Sequence, residues 1–314
     1  VTHTAAIASR DRLDILATSV LLLLCLTWGL NYALTKFVNL GLQPVFHTGL
    51  RSALAGAAIL AWCAMRKVRL FERDGSLVPG IVAGTLFGVE FALIALGLDY
   101  TSASRSVVFV YTMPFVVAIG AHFLVPGERI TPVSLGGLFL AFLGVLAVFS
   151  DKLSLPGPNA YFGDFLSILA AVLWGAVTIL IKTTSLRRIS AEKVLLYQLG
   201  VSAVVLLAIA PLFGPILRDV SAVVIGAFAF QVVVVATVTF LIWFWMIQVY
   251  PANRLTAFTF LTPVFGVLFG GLLLGEAIGW RLVAGLALVT FGIYLVNRPP
   301  RVSADAIGPD GRPS

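Results

Sequence analysis

Ten stretches of about 20 predominantly apolar residues follow one another along this chain: roughly 15 to 38, 46 to 65, 77 to 98, 102 to 124, 132 to 150, 161 to 183, 193 to 213, 220 to 249, 253 to 274 and 277 to 296. A helix of about 20 residues crosses a bilayer core, and only helices and closed barrels satisfy their own backbone there. Breakers fall between the stretches, at Gly41 and Pro44, from Arg66 to Gly75, and at Pro126-Gly127, Pro156-Gly157-Pro158 and Gly214-Pro215. With 60% hydrophobic and 11% charged residues among 314, a water-soluble fold would lack the polar material to cover its surface. The expectation is an all-α integral membrane protein of ten transmembrane helices.

The second five stretches echo the first. Trp28-Gly29 and Lys36 in the first stretch answer Trp174-Gly175 and Lys182 in the sixth, at a separation of 146. Arg105 with Pro114 answers Arg254 with Pro263 at 149, and Gly137 with Gly144 answers Gly285 with Gly292 at 148. Duplication of this kind marks transporters whose substrate site lies between the halves. Five spans per half is an odd number, so the second half enters from the opposite face and the repeats are inverted. The predicted organisation is a cytoplasmic N-terminal segment over 1–14, a first five-helix repeat over 15–150, a second over 151–297, and a disordered cytoplasmic tail over 298–314.

A net charge of +7 raises the question of nucleic acid, but the basic residues sit in short loops and form no basic face, so no nucleic-acid partner is expected. With the N-terminus inside, the inner side collects Arg66, Lys67, Arg69, Arg73, Arg129, Arg187, Arg188 and others, against Lys152, Arg218 and Arg281 outside. That bias predicts both termini in the cytoplasm. The motif G-x-x-x-x-G-K-[ST] is absent, as are G-x-S-x-G and H-E-x-x-H, and His3, His47 and His122 are scattered. Cys25 and Cys63 lie within apolar stretches and read as small hydrophobes. A carrier without cofactor or metal is expected, rather than an enzyme.

Polar residues inside the spans mark the candidate site. Trp28, Asn31, Tyr32 and Thr35 share one helical face, and the sixth span offers Trp174, Thr178 and Lys182. Both tryptophans lie midway along their spans, away from the headgroup level where tryptophan usually collects. Lys36 and Lys182 lie at helix C-terminal ends, where a cation complements the dipole. Glu90 is an acidic residue well inside the third span, so it is protonated, paired or facing water. Arg51 and Arg105 are its candidate partners, and a proton-coupling or substrate-ammonium role is the alternative. Pro114 and Pro263 are expected to kink their helices and free the carbonyls of Val110 and Thr259, a gating or hinge role. Tyr111 and Trp243 add aromatic surface suited to a flat substrate. The repeated glycines Gly80, Gly84 and Gly88, and Gly266, Gly270, Gly271 and Gly275, read as helix-packing positions.

These features together resemble the EamA-type members of the drug/metabolite transporter superfamily. Trp-Gly opens each half, a proline sits in the fourth span of each half, and Gly-Glu follows it at Gly127-Glu128 and Gly275-Glu276. The resemblance covers about residues 15 to 297, and within the group the aromatic richness and Glu90 look most like the YddG-type exporters of aromatic amino acids. It implies efflux by alternating access through a cavity built from helices 1, 3, 4, 6, 8 and 9, in a bacterial cytoplasmic membrane, by a monomer whose partners are a small-molecule substrate and lipid. On this reading Trp28, Tyr111, Trp174 and Trp243 hold the side chain of an aromatic or neutral amino acid, while Asn31, Tyr32 and Thr178 bond its head group. A multidrug exporter of flat cations using Glu90 and a passive facilitator are the alternatives. Glu128 and Glu276 are expected to cap helices or pair with Arg129 and Arg281.

Overall fold

The computed structural model describes residues 10, 13–153, 157, 159–275 and 279–298. Among these, ten helices are long and apolar enough to cross a membrane: α1 Ile15–Gly41, α2 Pro44–Arg66, α3 Leu77–Gly97, α4 Ala103–Leu124, α5 Pro132–Phe149, α6 Ala160–Thr183, α7 Ala191–Phe213, α8 Ala222–Val249, α9 Ala252–Leu273 and α10 Trp280–Asn297. No β-strand is found among the described residues. Glu276, residues 299–314 and most of the segment before Ile15 lie outside them.

The helices begin where the sequence supplies an oxygen for the orphan backbone N–H groups of the first turn. Asp14 accepts from Ala17 N at α1, Ser102 from Arg105 N at α4, Thr131 from Ser134 N at α5, Ser190 from Lys193 N at α7 and Ser221 from Val224 N at α8. Each such cap stabilises its helix by about 1 kcal/mol. At the other end of α9, Gly275 takes the left-handed conformation (φ 69°) that terminates the helix.

Helix pairing obeys an exchange of α1 to α5 with α6 to α10. The α1–α9 contact corresponds to α6–α4, α3–α6 to α8–α1, and α3–α7 to α8–α2, while α2–α7, α4–α9 and α5–α10 map onto themselves. Glycines set the closest approaches. On α5 and α10, a Cβ at Gly137 would stand 2.6 Å from the Gly292 carbonyl oxygen, and one at Gly144 would stand 2.7 Å from that of Gly285. The Trp-Gly glycines behave alike: a Cβ at Gly29 would meet Phe265 on α9 at 2.5 Å, and one at Gly175 would meet Val116 on α4 at 2.6 Å. Gly80 and Gly84 on α3 admit Tyr197 and Val201 of α7, the packing role expected of them.

The two prolines sit at true interruptions. α4 is helical over Ala103–Val110 and again over Met113–Leu124, and α9 over Ala252–Phe258 and again over Leu261–Leu274. The expectation that Pro263 frees the Thr259 carbonyl is corrected: Thr262 N donates to it at 2.9 Å, a tighter i to i+3 turn that recovers the bond. In α4 the i to i+3 bonds fall on other residues, from Thr112 N to the Phe109 carbonyl at 3.1 Å and from Phe115 N to the Thr112 carbonyl at 3.0 Å.

Candidate functional site

A cavity of about 440 Å3 lies at the centre of the helices. Trp28, Asn31, Tyr32, Glu90, Tyr111, Trp174, Thr178 and Trp243 all line it, and Pro263 lines it too, whereas Pro114 does not. Five helices therefore bring the eight predicted contact residues to one space. The sequence reading left out α2, which contributes His47, Thr48 and Arg51 to the wall. Gly266 and Gly270 also face the cavity, and a Cβ at Gly266 would make ordinary contact with Tyr32 at 3.5 Å, so this pair shapes the space rather than clamping two helices.

Aromatic rings form much of the wall. Trp28 meets Trp243 edge-on at 5.3 Å and Phe240 at 6.4 Å, Phe87 bridges Phe240 and Phe91, and Tyr111 faces Trp174 at 6.4 Å. Such edge-to-face pairs add about 0.5–1.5 kcal/mol each beyond burial. Trp28 is fixed further, because its indole Nε1 donates to the Thr239 hydroxyl at 2.8 Å. Thr239 belongs to a π-helical stretch of α8, Gln231–Thr239, whose Gln231 amide donates to Thr35 on α1 at 2.8 Å. Wide turns of this kind recur at functional sites because they redirect side chains. Two expected ligand groups are engaged within the protein: Thr178 donates to the Trp174 carbonyl at 3.2 Å, and Tyr32 donates to the Tyr111 hydroxyl at 3.5 Å.

The predicted partner of Glu90 is corrected in part. Arg105 binds Asp164 of α6 through its Nε and Nη2, and Thr101 adds a bond to the same carboxylate at 2.7 Å. Arg51 stays in the cavity wall, its Cζ over Phe91 at 5.3 Å and over Phe240 at 5.8 Å, and among the described residues it makes no ion pair with Glu90. Asp164 escaped notice because it is the fifth residue of α6, close enough to the helix start at Ala160 to pass for a boundary residue.

The cavity reaches one face of the bundle and stops short of the other. Asn39, Leu98, Ala103 and Ser104 line its mouth, where α1 and α3 end and α4 begins. Toward the face where α1 starts, Lys182 Nζ pairs with Glu128 Oε1 at 2.8 Å and donates to the Tyr250 carbonyl, while Glu128 Oε2 accepts from Ala252 N at 2.7 Å. Gln248 donates to the Leu186 and Ile189 carbonyls at 2.8 and 3.0 Å on the same side. Lys182 is thus a buried, paired cation rather than a group of the cavity, and Glu128 pairs with it instead of with Arg129, while its bond to Ala252 N at the start of α9 is the helix-capping role expected of it. Arg281 pairs with Asp151.

Ten apolar helices, paired by an exchange of halves around an aromatic cavity that reaches one face, define a membrane transporter for a small molecule. The sequence profile of the EamA-like transporter family matches residues 15–150 and again 161–298, and the chain belongs to that family. It is 31% identical to an uncharacterized transporter of Archaeoglobus fulgidus over 89% of this chain and 98% of that protein. It is 23% identical to the uncharacterized transporter YoaV of Bacillus subtilis over 86% of this chain and 92% of that one. A probable amino-acid metabolite efflux pump of Escherichia coli is 27% identical over 87% of this chain and 92% of its own length. The fold also matches a crystal structure of another protein with a TM-score of 0.74, at 19% identity, covering 88% of this chain and 98% of that one.

Proposed function

We propose that this protein exports amino acids, preferentially aromatic or neutral ones, across a bacterial cytoplasmic membrane by alternating access. The observation that carries the reading is the convergence of Trp28, Tyr111, Trp174 and Trp243 on one cavity of about 440 Å3 that also holds polar groups. A flat apolar side chain gains from burial against such rings, and a charged head group needs the polar wall. The name given to the Escherichia coli relative, an amino-acid metabolite efflux pump, supports the same substrate class. The halves 15–150 and 151–297 act as inverted repeats that rock about the glycine contact of α5 and α10, with Pro114 and Pro263 at the points where α4 and α9 bend. Positive loop charge supports a cytoplasmic position for both termini, and on that reading the conformation seen here faces outward. One chain supplies the whole cavity, which suits a monomer.

A second reading, export of flat organic cations, is favoured by the Glu90 carboxylate among aromatic rings. Counterflow of labelled phenylalanine and tryptophan into preloaded proteoliposomes separates the two. Saturable counterflow that falls at least about tenfold in Trp28→Ala and Trp174→Ala is expected, the size of effect an aromatic anchor carries. Absence of counterflow, with tight binding of planar cations, establishes the second reading instead.

A further inference from the structure

We propose, building on the amino-acid reading above, that Arg51 and Glu90 form the head-group subsite, Arg51 receiving the α-carboxylate and Glu90 the α-ammonium. Both side chains line the cavity and both are almost fully buried, at 5% and 4% exposure. They lie at one depth: Arg51 is seven residues after the start of α2 at Pro44, and Glu90 is seven before the end of α3 at Gly97, on the same face of the bundle. At 1.5 Å per residue that is about 10 Å below the helix ends.

The guanidinium carbon lies over two rings, 5.3 Å from the Phe91 centroid and 5.8 Å from that of Phe240, yet among the described residues Nε and Nη2 have no hydrogen-bond partner. Those two nitrogens are the side-on fork that grips a carboxylate with two parallel N–H donors. The same chain uses that fork elsewhere, where Arg105 Nε and Nη2 hold Asp164. Arg51 thus presents the donor set of Arg105 with no carboxylate among the described residues to meet it. Glu90 shows the complementary deficit, its Oε2 being buried without a donor among the described residues. A buried charge without a partner is costly, and two opposite charges in one wall would ordinarily relieve the cost by pairing. Here they do not pair. A ligand carrying both charges on one carbon, with a flat apolar group beyond, satisfies both deficits while its side chain reaches Phe240, Trp243 and Trp28. His47, one turn nearer the mouth on α2, offers a further unpartnered Nδ1.

The test is competition against counterflow of labelled phenylalanine in proteoliposomes by three ligands: phenylalanine, phenethylamine, which lacks the carboxylate, and 3-phenylpropionate, which lacks the ammonium. In the unaltered protein each analogue is expected to compete at least about tenfold more weakly than phenylalanine, the size of effect a charge-assisted hydrogen bond supplies. In Arg51→Gln, phenylalanine falls to the level of phenethylamine, and phenethylamine itself is unchanged; Arg51→Lys falls between. In Glu90→Gln, phenylalanine falls to the level of 3-phenylpropionate. An analogue that competes with the unaltered protein as well as phenylalanine does overturns the assignment of the charge it lacks, whether or not the variants fold. Variants that transport phenylalanine like the unaltered protein overturn it as well. If the unaltered protein gives no phenylalanine counterflow, the amino-acid reading itself fails, and this subsite fails with it.

Discussion

Lys182 and Glu128 illustrate how much one buried pair ties together. Their side chains are 3% and 8% exposed, and through Tyr250 and Ala252 they join the ends of α4, α6 and α8 to the start of α9. Removing one charge of such a pair typically costs about 3–5 kcal/mol because the survivor stays buried without its counter-ion. Glu128→Gln is therefore expected to lower the melting temperature in detergent sharply, and Glu128→Gln combined with Lys182→Met to recover part of the loss. A double variant no better than the single one would mean that the pair is replaceable by water. Asp74, in the loop before α3, makes a pH-dependent tie. Burial raises its pKa, but bonds from Lys193 and Ser76 and the Lys193 charge outweigh that and bring it from 3.8 down to about 2. A carboxylate depressed on folding stabilises the protein above its unfolded pKa and loses that contribution as pH falls through the folded value. Asp74→Asn should therefore melt below the unaltered protein at pH 7, and the gap should close between about pH 4 and pH 2.

Helices show which layers of this structure the sequence makes legible. All ten spans stand out because bilayer thickness fixes their length, whereas their exact starts rest on the caps Asp14, Thr131, Ser190 and Ser221, and α7 and α8 begin at Ala191 and Ala222 where apolarity alone suggested 193 and 220. Trp28, Trp174, Tyr111 and Glu90 are legible as cavity-lining residues because polar and aromatic groups midway along a span need a reason to be there. What stays hidden depends on which side chains meet across helices. Arg51 reads as a partner for Glu90 until Phe91 and Phe240 are seen to hold it, and the π turn of Gln231–Thr239 has no residue signature apart from a β-branched run that suits a regular α-helix poorly. Adjacent glycines on α5 give the sharpest test of the packing. A Cβ at Gly137 would strike the Gly292 carbonyl, whereas one at Gly136 would meet nothing within 4 Å. Gly137→Ala is expected to destabilise by about 1–3 kcal/mol through overpacking. Gly136→Ala should be neutral or stabilising by up to about 1 kcal/mol, since alanine has the higher helix propensity. Equal melting temperatures for the two variants would remove the α5–α10 glycine contact from any account of what holds the halves together.

At the scale of the whole molecule, the cavity and the buried pair make one statement about access. The mouth at Asn39 and Ser104 lies on the face opposite the N-terminus, and the Lys182–Glu128 cluster closes the other side. If that cluster is what holds the second face shut, weakening it shifts the population toward a state with the cavity reached from the N-terminal side, by a factor of ten for each 1.4 kcal/mol of differential stability. Thiol labelling reads this directly, because the native Cys25 and Cys63 are 0% and 1% exposed and contribute little background. In whole cells, Asn39→Cys at the mouth and Asn31→Cys deeper in the cavity should both react with a membrane-impermeant reagent added outside. Introducing Glu128→Gln should slow the reaction at Asn31→Cys and leave the mouth position nearly unchanged, since a closing outer half shields depth before it shields the rim. Labelling of both positions from the cytoplasmic side alone would reverse the assigned orientation. Slowing at neither position would place the barrier to N-terminal-side opening in the neighbouring Gln248 and Cys25 contacts, which bind the carbonyls of Leu186, Ile189 and Phe258 and survive when the ion pair is broken.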